Sequence, residues 1–539
     1  LGLDPPPDAL TPDELIRAIL LAPVDMLWNG GIGTFVKAAA EDDADVGDKA
    51  NDGVRVDAAD LRARVVVEGG NLGLTQRARI EFAMAGGKVN TDAIDNSAGV
   101  DASDHEVNIK IALDRAVAAG ELTAEGRNDL LARMTDEVAA LVLRDNYEQN
   151  VALANAAAQA APLLNVHARH MRRLESEGHL DRAVEFLPSD RVIAERRRAG
   201  IGLVVPELAV LMAYAKIDFA ADLVASDLPD DPESLGELLG YFPAPVRTGF
   251  AEQIEEHPLR REIVATRIAN RVVNRAGITY LVRQREEVGA GSAAIARAHG
   301  ASWALYDMEE HWRAIEDMEP RVAPQVQTDM RLEGRRLVER GAGWMLRNRP
   351  GAGLVEVIGE MAEPVRRAVR LLPAPLRGVE RAAYDDRLAG LLGAGVPSAL
   401  AAASARMQAA AAALDIVDIA LRTGRPVEQV SGIYHELSAR LLLARLRVRI
   451  DELPRDDRWH TLARAALRQE LLAAHAAIAA AVLGHAGPDA APAERVAAWT
   501  RANEGAVART LATLDAIGAD GVFDFATLSV ATRAVGELA

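Results

Sequence analysis

Cysteine is missing altogether from the 539 residues. Its absence excludes disulfides, thiolate zinc sites and a cysteine nucleophile. It also fits a reducing compartment, so the cytoplasm is the expected location. Aromatic residues are scarce, at 4 %. Hydrophobic residues nevertheless make up 50 %, mostly Ala, Leu and Val, which rules out a disordered tail and favours Ala-rich helices. Positive charge is in deficit: the net charge of −18 argues against nucleic acid or an anionic membrane as an electrostatic partner. No uninterrupted apolar run approaches the length of a membrane span. The opening Leu1-Gly2-Leu3-Asp4 lacks the basic-then-apolar order of a signal peptide. It also lacks an initiator Met, so the expectation is a chain that starts part-way through a longer product. The length is enough for two or more domains with sizeable cores.

What is present concentrates between Val65 and Asn108. Val65-Val66-Val67 is a β-branched run that reads as a short buried strand. It stops at Glu68-Gly69-Gly70-Asn71, where two glycines permit a tight turn or close backbone approach. Thr75 reads as an N-cap, with Ala78, Phe82 and Ala85 at helical spacing behind it and Gly86-Gly87 closing the helix. A second strand over about Lys88 to Thr91 then feeds a loop from Asp92 to Val100. Strand, helix, strand crossovers are usually parallel, so both strands end on one sheet edge. Asn71 and Asn96 then project from loops at the carboxyl edge, where open α/β sheets bind ligands.

These residues resemble a known family. Glu68-Gly69-Gly70-Asn71-Leu72-Gly73-Leu74-Thr75 resembles the Glu-Gly-Ala-Asn-Gly-Pro-Thr-Thr turn of glutamate dehydrogenases. Ile94-Asp95-Asn96-Ser97-Ala98-Gly99-Val100 resembles their Leu-Ala-Asn-Ala-Gly-Gly-Val loop. Ser103 and Glu106 match the Ser and Glu of the Ser-Tyr-Phe-Glu-Trp helix start that follows. Three motifs in the same order are specific where each alone is weak, and their wording is similar to that of the very large NAD-specific enzymes of bacteria. The resemblance implies NAD as cofactor, bound by Gly69, Gly70, Asn71 and Asn96. Asn71 would contact the nicotinamide riboside, and Asn96 would lie beside the carboxamide and the substrate amino group. Ser103 would hydrogen-bond the side-chain carboxylate of L-glutamate, the substrate converted to 2-oxoglutarate. It further implies a homo-oligomer of like chains, without nucleic acid or membrane. The implied fold class is α/β followed by mostly α. Residues 1–115 would be the C-terminal half of a Rossmann-like cofactor domain, and 116–539 a large all-helical region.

The departures count as well. Asp104-His105 replaces the family's Tyr-Phe pair and Val107 its Trp, so the pocket wall differs from that of the small enzymes. Without the resemblance, Asn71 reads as a turn residue tolerating left-handed backbone and Ser103 as a plain helix N-cap. Asp101, Asp104, His105 and Glu106 suggest metal ligands at first sight. Adjacent helical residues point in different directions, however, and no metal site is expected there. His167 and His170, among Arg169, Arg172 and Arg173, read as a solvated basic face, and Arg196-Arg197-Arg198 as surface.

Upstream, Thr11-Pro12-Asp13-Glu14 is a capping box ahead of an expected buried stripe of Leu15, Ile16, Ile19 and Leu20. Val24 to Trp28 reads as a strand before Asn29-Gly30-Gly31-Ile32-Gly33-Thr34. Gly31-x-Gly33 invites a dinucleotide reading, but Val36 stands where the third glycine belongs. The acidic stretch from Glu41 to Asp60 reads as a surface loop. Beyond Asp104 helical signals dominate: after Pro206-Glu207, and over Arg260 to Glu287, Ala401 to Leu414 and Trp459 to Leu483. A linker is expected at 484–492 before a final pair of helices. The Gly-Gly-x-Lys-Gly-Gly segment that carries the family's catalytic lysine is missing, so no catalytic residue is assigned and isolated turnover is not expected. A non-catalytic helical assembly module and a related amino-acid dehydrogenase remain as alternatives.

Overall fold

The computed structural model describes Gly2 and residues 9–455, 457–487 and 489–539. Leu1, Leu3 and Asp4 of the opening tetrapeptide lie outside the described residues, as does Pro488 of the 484–492 stretch. Helices dominate, and the chain divides into two compact units, Leu1–Val282 and Arg283–Ala539.

The first unit carries four short strands among the described residues: β1 (Met26–Asn29), β2 (Val36–Lys37), β3 (Val56–Asp57) and β4 (Val65–Glu68). β1 pairs in parallel with β4, Met26 opposite Val65 and Asn29 opposite Glu68. β2 pairs in parallel with β3. The strand expected at 88–91 is reduced to one bridge, Lys88 beside Val65, because the next residues already serve the following turn. Asn90 donates to Asp95 at 2.7 Å, and the Thr91 carbonyl accepts from the Ile94 and Asp95 amides. Between β4 and Lys88 runs the helix Gln76–Met84. Thr75 caps it by accepting the Ala78 amide at 3.0 Å, and Ala78 and Phe82 are buried with Val36, Val56, Val66, Leu74 and Val89. Ala85 is its exposed C-cap. Gly86 then turns the chain at φ +96°, a left-handed conformation that glycine adopts at no steric cost.

Two upstream expectations change. The capping box forms, with Glu14 N–H donating to Thr11 at 3.3 Å and Thr11 N–H to the Glu14 carboxylate at 2.8 Å. The apolar stripe of the helix Pro12–Leu20 is uncovered, however: Leu15, Ile16 and Ile19 are exposed and only Ala18 is buried. Of the expected stripe Leu20 alone packs, half-buried, against the strand core; periodicity identifies which face is apolar, and no part of the described chain covers the rest of it. The stretch 41–60 is more than a surface loop. Buried Arg55 donates to Asp43 at 2.6 Å, Asp52 at 2.7 Å and the Thr34 carbonyl at 3.0 Å, which holds β3 against β2.

Below the strands, the helices Ser97–Ala118, Thr135–Ala158, Val205–Val224 and Arg260–Ala276 pack together. Leu208, Leu211, Met212 and Ala215 are buried, as their spacing predicts. The long helix expected over 260–287 breaks at Gly277, where φ is +92°, into Arg260–Ala276 and Tyr280–Val288. His167 and His170 are buried rather than solvated. They share the face of helix Leu164–Ser176 that carries Leu164, Met171 and Leu174, and the neighbouring Arg172 masks that stripe in sequence. Arg196 is structural, making two bonds to Glu207 at 2.6 and 2.8 Å, whereas Arg197 and Arg198 are exposed.

The second unit is helical throughout the described residues, around a core that includes Ile416, Val417, Ile433, Leu437, Ile478 and Trp499. The helix expected at 401–414 is divided between Ser398–Ala410 and Ala413–Thr423, whose axes differ by 66°. Among the described residues one helix, Arg458–Val482, reaches the length and apolarity of a membrane span. Its Leu467, Leu471, Ile478 and Val482 are buried in the core. Buried Arg495 donates to the carbonyls of Leu483, His485, Gly487 and Ala490, and three helices rather than two follow.

Candidate active-site edge

Because β1 and β4 run parallel in register, both deliver their carboxyl ends to one edge. Gly69 N–H donates to Asn29 O at 2.8 Å and seals the end of the pair. A Cβ on Gly70 would lie 2.5 Å from the Gly31 carbonyl oxygen, so only glycine lets these two turns meet. The turn after β1 leads into β2 instead of a helix, and this removes the dinucleotide reading of Gly31-Ile32-Gly33. Asn71 stands at the tip of the β4 turn. Asn96 joins two helices, Asp92–Asp95 and Ser97–Ala118, and its Nδ2 donates to Asn71 Oδ1 at 2.8 Å. The structure therefore brings together the two asparagines singled out in the sequence.

The loop expected from Asp92 to Val100 is helical on either side of Asn96. Asn146 explains why: its Nδ2 donates to the Ile94 carbonyl at 2.8 Å and to Ser97 Oγ at 2.9 Å, meeting polar groups where one helix stops and the next begins. Ser103 is consequently inside a helix and is no N-cap. It is exposed and lies seven residues after Asn96, hence on the same helix face and about 10 Å further along at 1.5 Å per residue.

Beneath the two asparagines lies a buried polar network. Glu68, the last residue of β4, is fully buried and takes Arg79 Nε at 2.7 Å and Nη2 at 2.8 Å, besides the Leu74 amide at 3.0 Å. Arg79 also meets Asp92 at 3.1 Å, and Asp92 accepts the Leu72 amide at 2.9 Å next to Asn71. Asp95 accepts the Glu68 amide at 3.0 Å and Asn90 at 2.7 Å, and Asn90 donates in turn to Asn150 at 2.8 Å. Burial pushes the Glu68 and Asp95 carboxyls up, against the pull of Arg79 and of these hydrogen bonds. Sequence reasoning missed Glu68, Arg79, Asn90, Asp95, Asn146 and Asn150 as supports of the site. Their role rests on contacts between residues well separated in the chain, for which the sequence carries no local signal.

Asp104 and Glu106 point to solvent, whereas Asp101 and His105, one turn apart, converge with Asp145 from Thr135–Ala158. His105 Nε2 lies 3.9 Å from Asp101 and its ring stacks on Tyr241. Burial, with Asp145 and Asp104 nearby, pushes Asp101 up to about 7. Burial and Arg267 push His105 down to about 4. His105 is thus uncharged at neutral pH, and the positive charges of Arg267 and Lys216 act on Asp145.

The family described as "Bacterial NAD-glutamate dehydrogenase, catalytic domain" matches residues 2–156, and "Glutamate dehydrogenase, C-terminal" matches residues 200–537. The NAD-specific glutamate dehydrogenase of Mycobacterium tuberculosis is 43 % identical over 100 % of this chain and 33 % of its own length. Those of Halomonas elongata and Pseudomonas aeruginosa are each 42 % identical over 99 % of this chain and 33 % of theirs. The chain spans about a third of the length of the curated relatives it matches. It belongs to the bacterial NAD-specific glutamate dehydrogenase family.

Proposed function

We propose that this chain is part of an NAD-dependent glutamate dehydrogenase, which deaminates L-glutamate oxidatively to 2-oxoglutarate and ammonia. In this reading residues 1–115 are the later half of a Rossmann-like cofactor domain and 116–539 the helical region that follows. Homo-oligomeric assembly in the cytoplasm belongs to the same proposal. The observation that carries it is the Asn71–Asn96 amide pair at the carboxyl edge of a parallel strand pair.

Joined through Asn71 Oδ1, the pair keeps Asn71 Nδ2 as a donor and Asn96 Oδ1 as an acceptor. That set complements a carboxamide or a ribose hydroxyl, and so fits the nicotinamide end of NAD. Among the described residues no helix N-terminus follows β1 to receive the pyrophosphate, because the chain runs from β1 into β2. When bound, the cofactor supplies the hydride acceptor. Asn71 and Asn96 orient the nicotinamide riboside, and Gly69 and Gly70 admit the close turn. Ser103, on the Asn96 face of its helix, offers a hydroxyl to the distal carboxylate of glutamate. The proton transfers at the amine and at the attacking water need groups that this chain does not supply, so it does not turn over alone.

The bare side of the first unit supports the same reading. β1 has no partner on its other edge among the described residues. Met26 and Trp28 on it are 57 % and 64 % exposed, and Leu15, Ile16 and Ile19 of the helix Pro12–Leu20 are uncovered as well. An open apolar strand edge is where further strands and a covering helix of the cofactor domain would dock.

Steady-state kinetics on the full-length enzyme tests the proposal. Asn71→Ala and Asn96→Ala should each raise KM for NAD roughly five- to tenfold, the value of one hydrogen bond to a ligand. Ser103→Ala should raise KM for glutamate and leave that for NAD unchanged, with leucine and valine remaining poor substrates. Unchanged constants in all three variants would remove the assignment.

A further inference from the structure

Three side chains converge between the helices Ser97–Ala118 and Thr135–Ala158. Asp101 and His105 stand four residues apart on the first helix, which places them on one face. Asp145 meets them from the second, and one oxygen or nitrogen from each of the three lies within 4.8 Å of the other two. The sequence expectation weighed Asp101, Asp104, His105 and Glu106 together and set a metal aside, because a helix spreads adjacent residues around its circumference. The fold keeps two of those four on a common face and adds a carboxylate from another helix.

His105 is the informative member. It is 1 % exposed, yet neither ring nitrogen has a hydrogen-bond partner. Its Nε2 is 3.9 Å from Asp101 Oδ1, too long for a hydrogen bond. Asp101 Oδ2 is likewise buried without a partner. Buried polar atoms are ordinarily satisfied, so three orphaned atoms in one cluster point to a group that they bind. The charges acting on Asp101 are those of Asp145 and Asp104, both of its own sign. Arg267 and Lys216 act on Asp145, and Arg267 on His105.

We infer that Asp101, His105 and Asp145 hold a divalent transition-metal ion of the zinc class. One imidazole and two carboxylates are a donor set that Zn2+ takes with water completing the sphere. Bonds of about 2 Å set ligand atoms about 3.4 Å apart in a tetrahedron, which side-chain rotation reaches from the observed spacing. The uncharged imidazole offers a lone pair, and the ion offsets the repulsion between the two carboxylates. Asp101 keeps 26 % exposure and leaves a way in from solvent. The bound ion braces the helix that starts after Asn96 against the helix whose Asn146 meets that start. A second group, Glu177, His179 and Asp218, is as closely spaced. There Arg173 already donates to Asp218 at 2.6 Å and to Glu177 at 2.5 Å, and His179 is exposed.

Titration of the full chain, stripped with a chelator that is then removed, tests the site. Co2+ should bind at one ion per chain with a visible ligand-field spectrum, and Zn2+ should displace it. Zn2+ should also raise the unfolding midpoint saturably, whereas Mg2+, which prefers oxygen and water ligands, should not at the same concentration. Asp101→Asn and Asp145→Asn should each weaken Co2+ binding at least about tenfold, since even outer-shell partners of a metal are worth that much. Asp101→Asn removes one of two repelling carboxylates, so its metal-free midpoint should match or exceed the parent's, which separates lost binding from lost folding. His179→Ala should bind Co2+ like the parent. The inference is overturned if Zn2+ neither binds nor stabilises, or if Mg2+ stabilises equally. It is also overturned if Asp101→Asn binds Co2+ like the parent, or if His179→Ala abolishes the spectrum.

Discussion

Arg79→Met is the sharpest perturbation of the site's support. Arg79 makes two bonds to the fully buried Glu68 and a third contact to Asp92. Methionine keeps much of the stem and removes the charge. Glu68 would then be a buried carboxylate with the Leu74 amide as its remaining donor. Removing one partner of a buried pair typically costs about 3–5 kcal/mol. At roughly 2–4 °C per kcal/mol for a unit of this size, the midpoint should fall by about 10 °C. The second consequence is local. Asp92 also accepts the Leu72 amide, so the Leu72 and Leu74 amides should lose hydrogen-exchange protection before the helices around Leu208 do. Adding Glu68→Gln should restore part of the loss, because the orphaned charge disappears. A destabilisation below about 1 kcal/mol, or a double variant no better than Arg79→Met, would refute the reasoning.

Three further outcomes follow from the same structure. Gly70→Ala places a Cβ 2.5 Å from the Gly31 carbonyl oxygen and should cost about 1–3 kcal/mol in a denaturant titration, with KM for NAD raised in the full-length enzyme. Asp101 is held up at about 7 against an ordinary value of 3.8, so its contribution to stability is present below pH 4 and lost as pH rises towards 7. Asp101→Asn should therefore stabilise the metal-free chain more at pH 8 than at pH 5. Equal effects at both pH values in urea titrations would contradict this. Arg495→Met leaves four carbonyls around 483–490 without their donor and should loosen that stretch to limited proteolysis while the first unit stays protected.

Local chemistry in the sequence led to β4 and its turn, although the parallel partner expected at 88–91 is reduced to one bridge and the paired strand is β1. The Thr11 and Thr75 caps, the β4 run and its glycine turn, and the meeting of Asn71 with Asn96 all follow from short-range signals. The missed parts depend on contacts between distant residues. Asp92 to Val100 is rich in turn formers and reads as a loop. It becomes helical because Asn146, some fifty residues away, meets the polar groups at the break. Arg79 sits at a position that period alone would expose, and only its pairing with Glu68 across the turn makes it a core residue. Likewise Leu15, Ile16 and Ile19 form a true amphipathic stripe, yet no periodicity reveals whether the covering partner lies on the same chain.

The central claim is that this chain holds the nicotinamide side of a cofactor site whose phosphate-binding side lies elsewhere in the longer enzyme. Calorimetric titration of NAD tests it directly, into the chain alone and into the chain complemented by the rest of the enzyme. The account predicts no measurable heat of binding for the chain alone, binding on complementation, and loss of that binding with Asn71→Ala. Tight binding by the isolated chain, or complemented binding indifferent to Asn71, would contradict it.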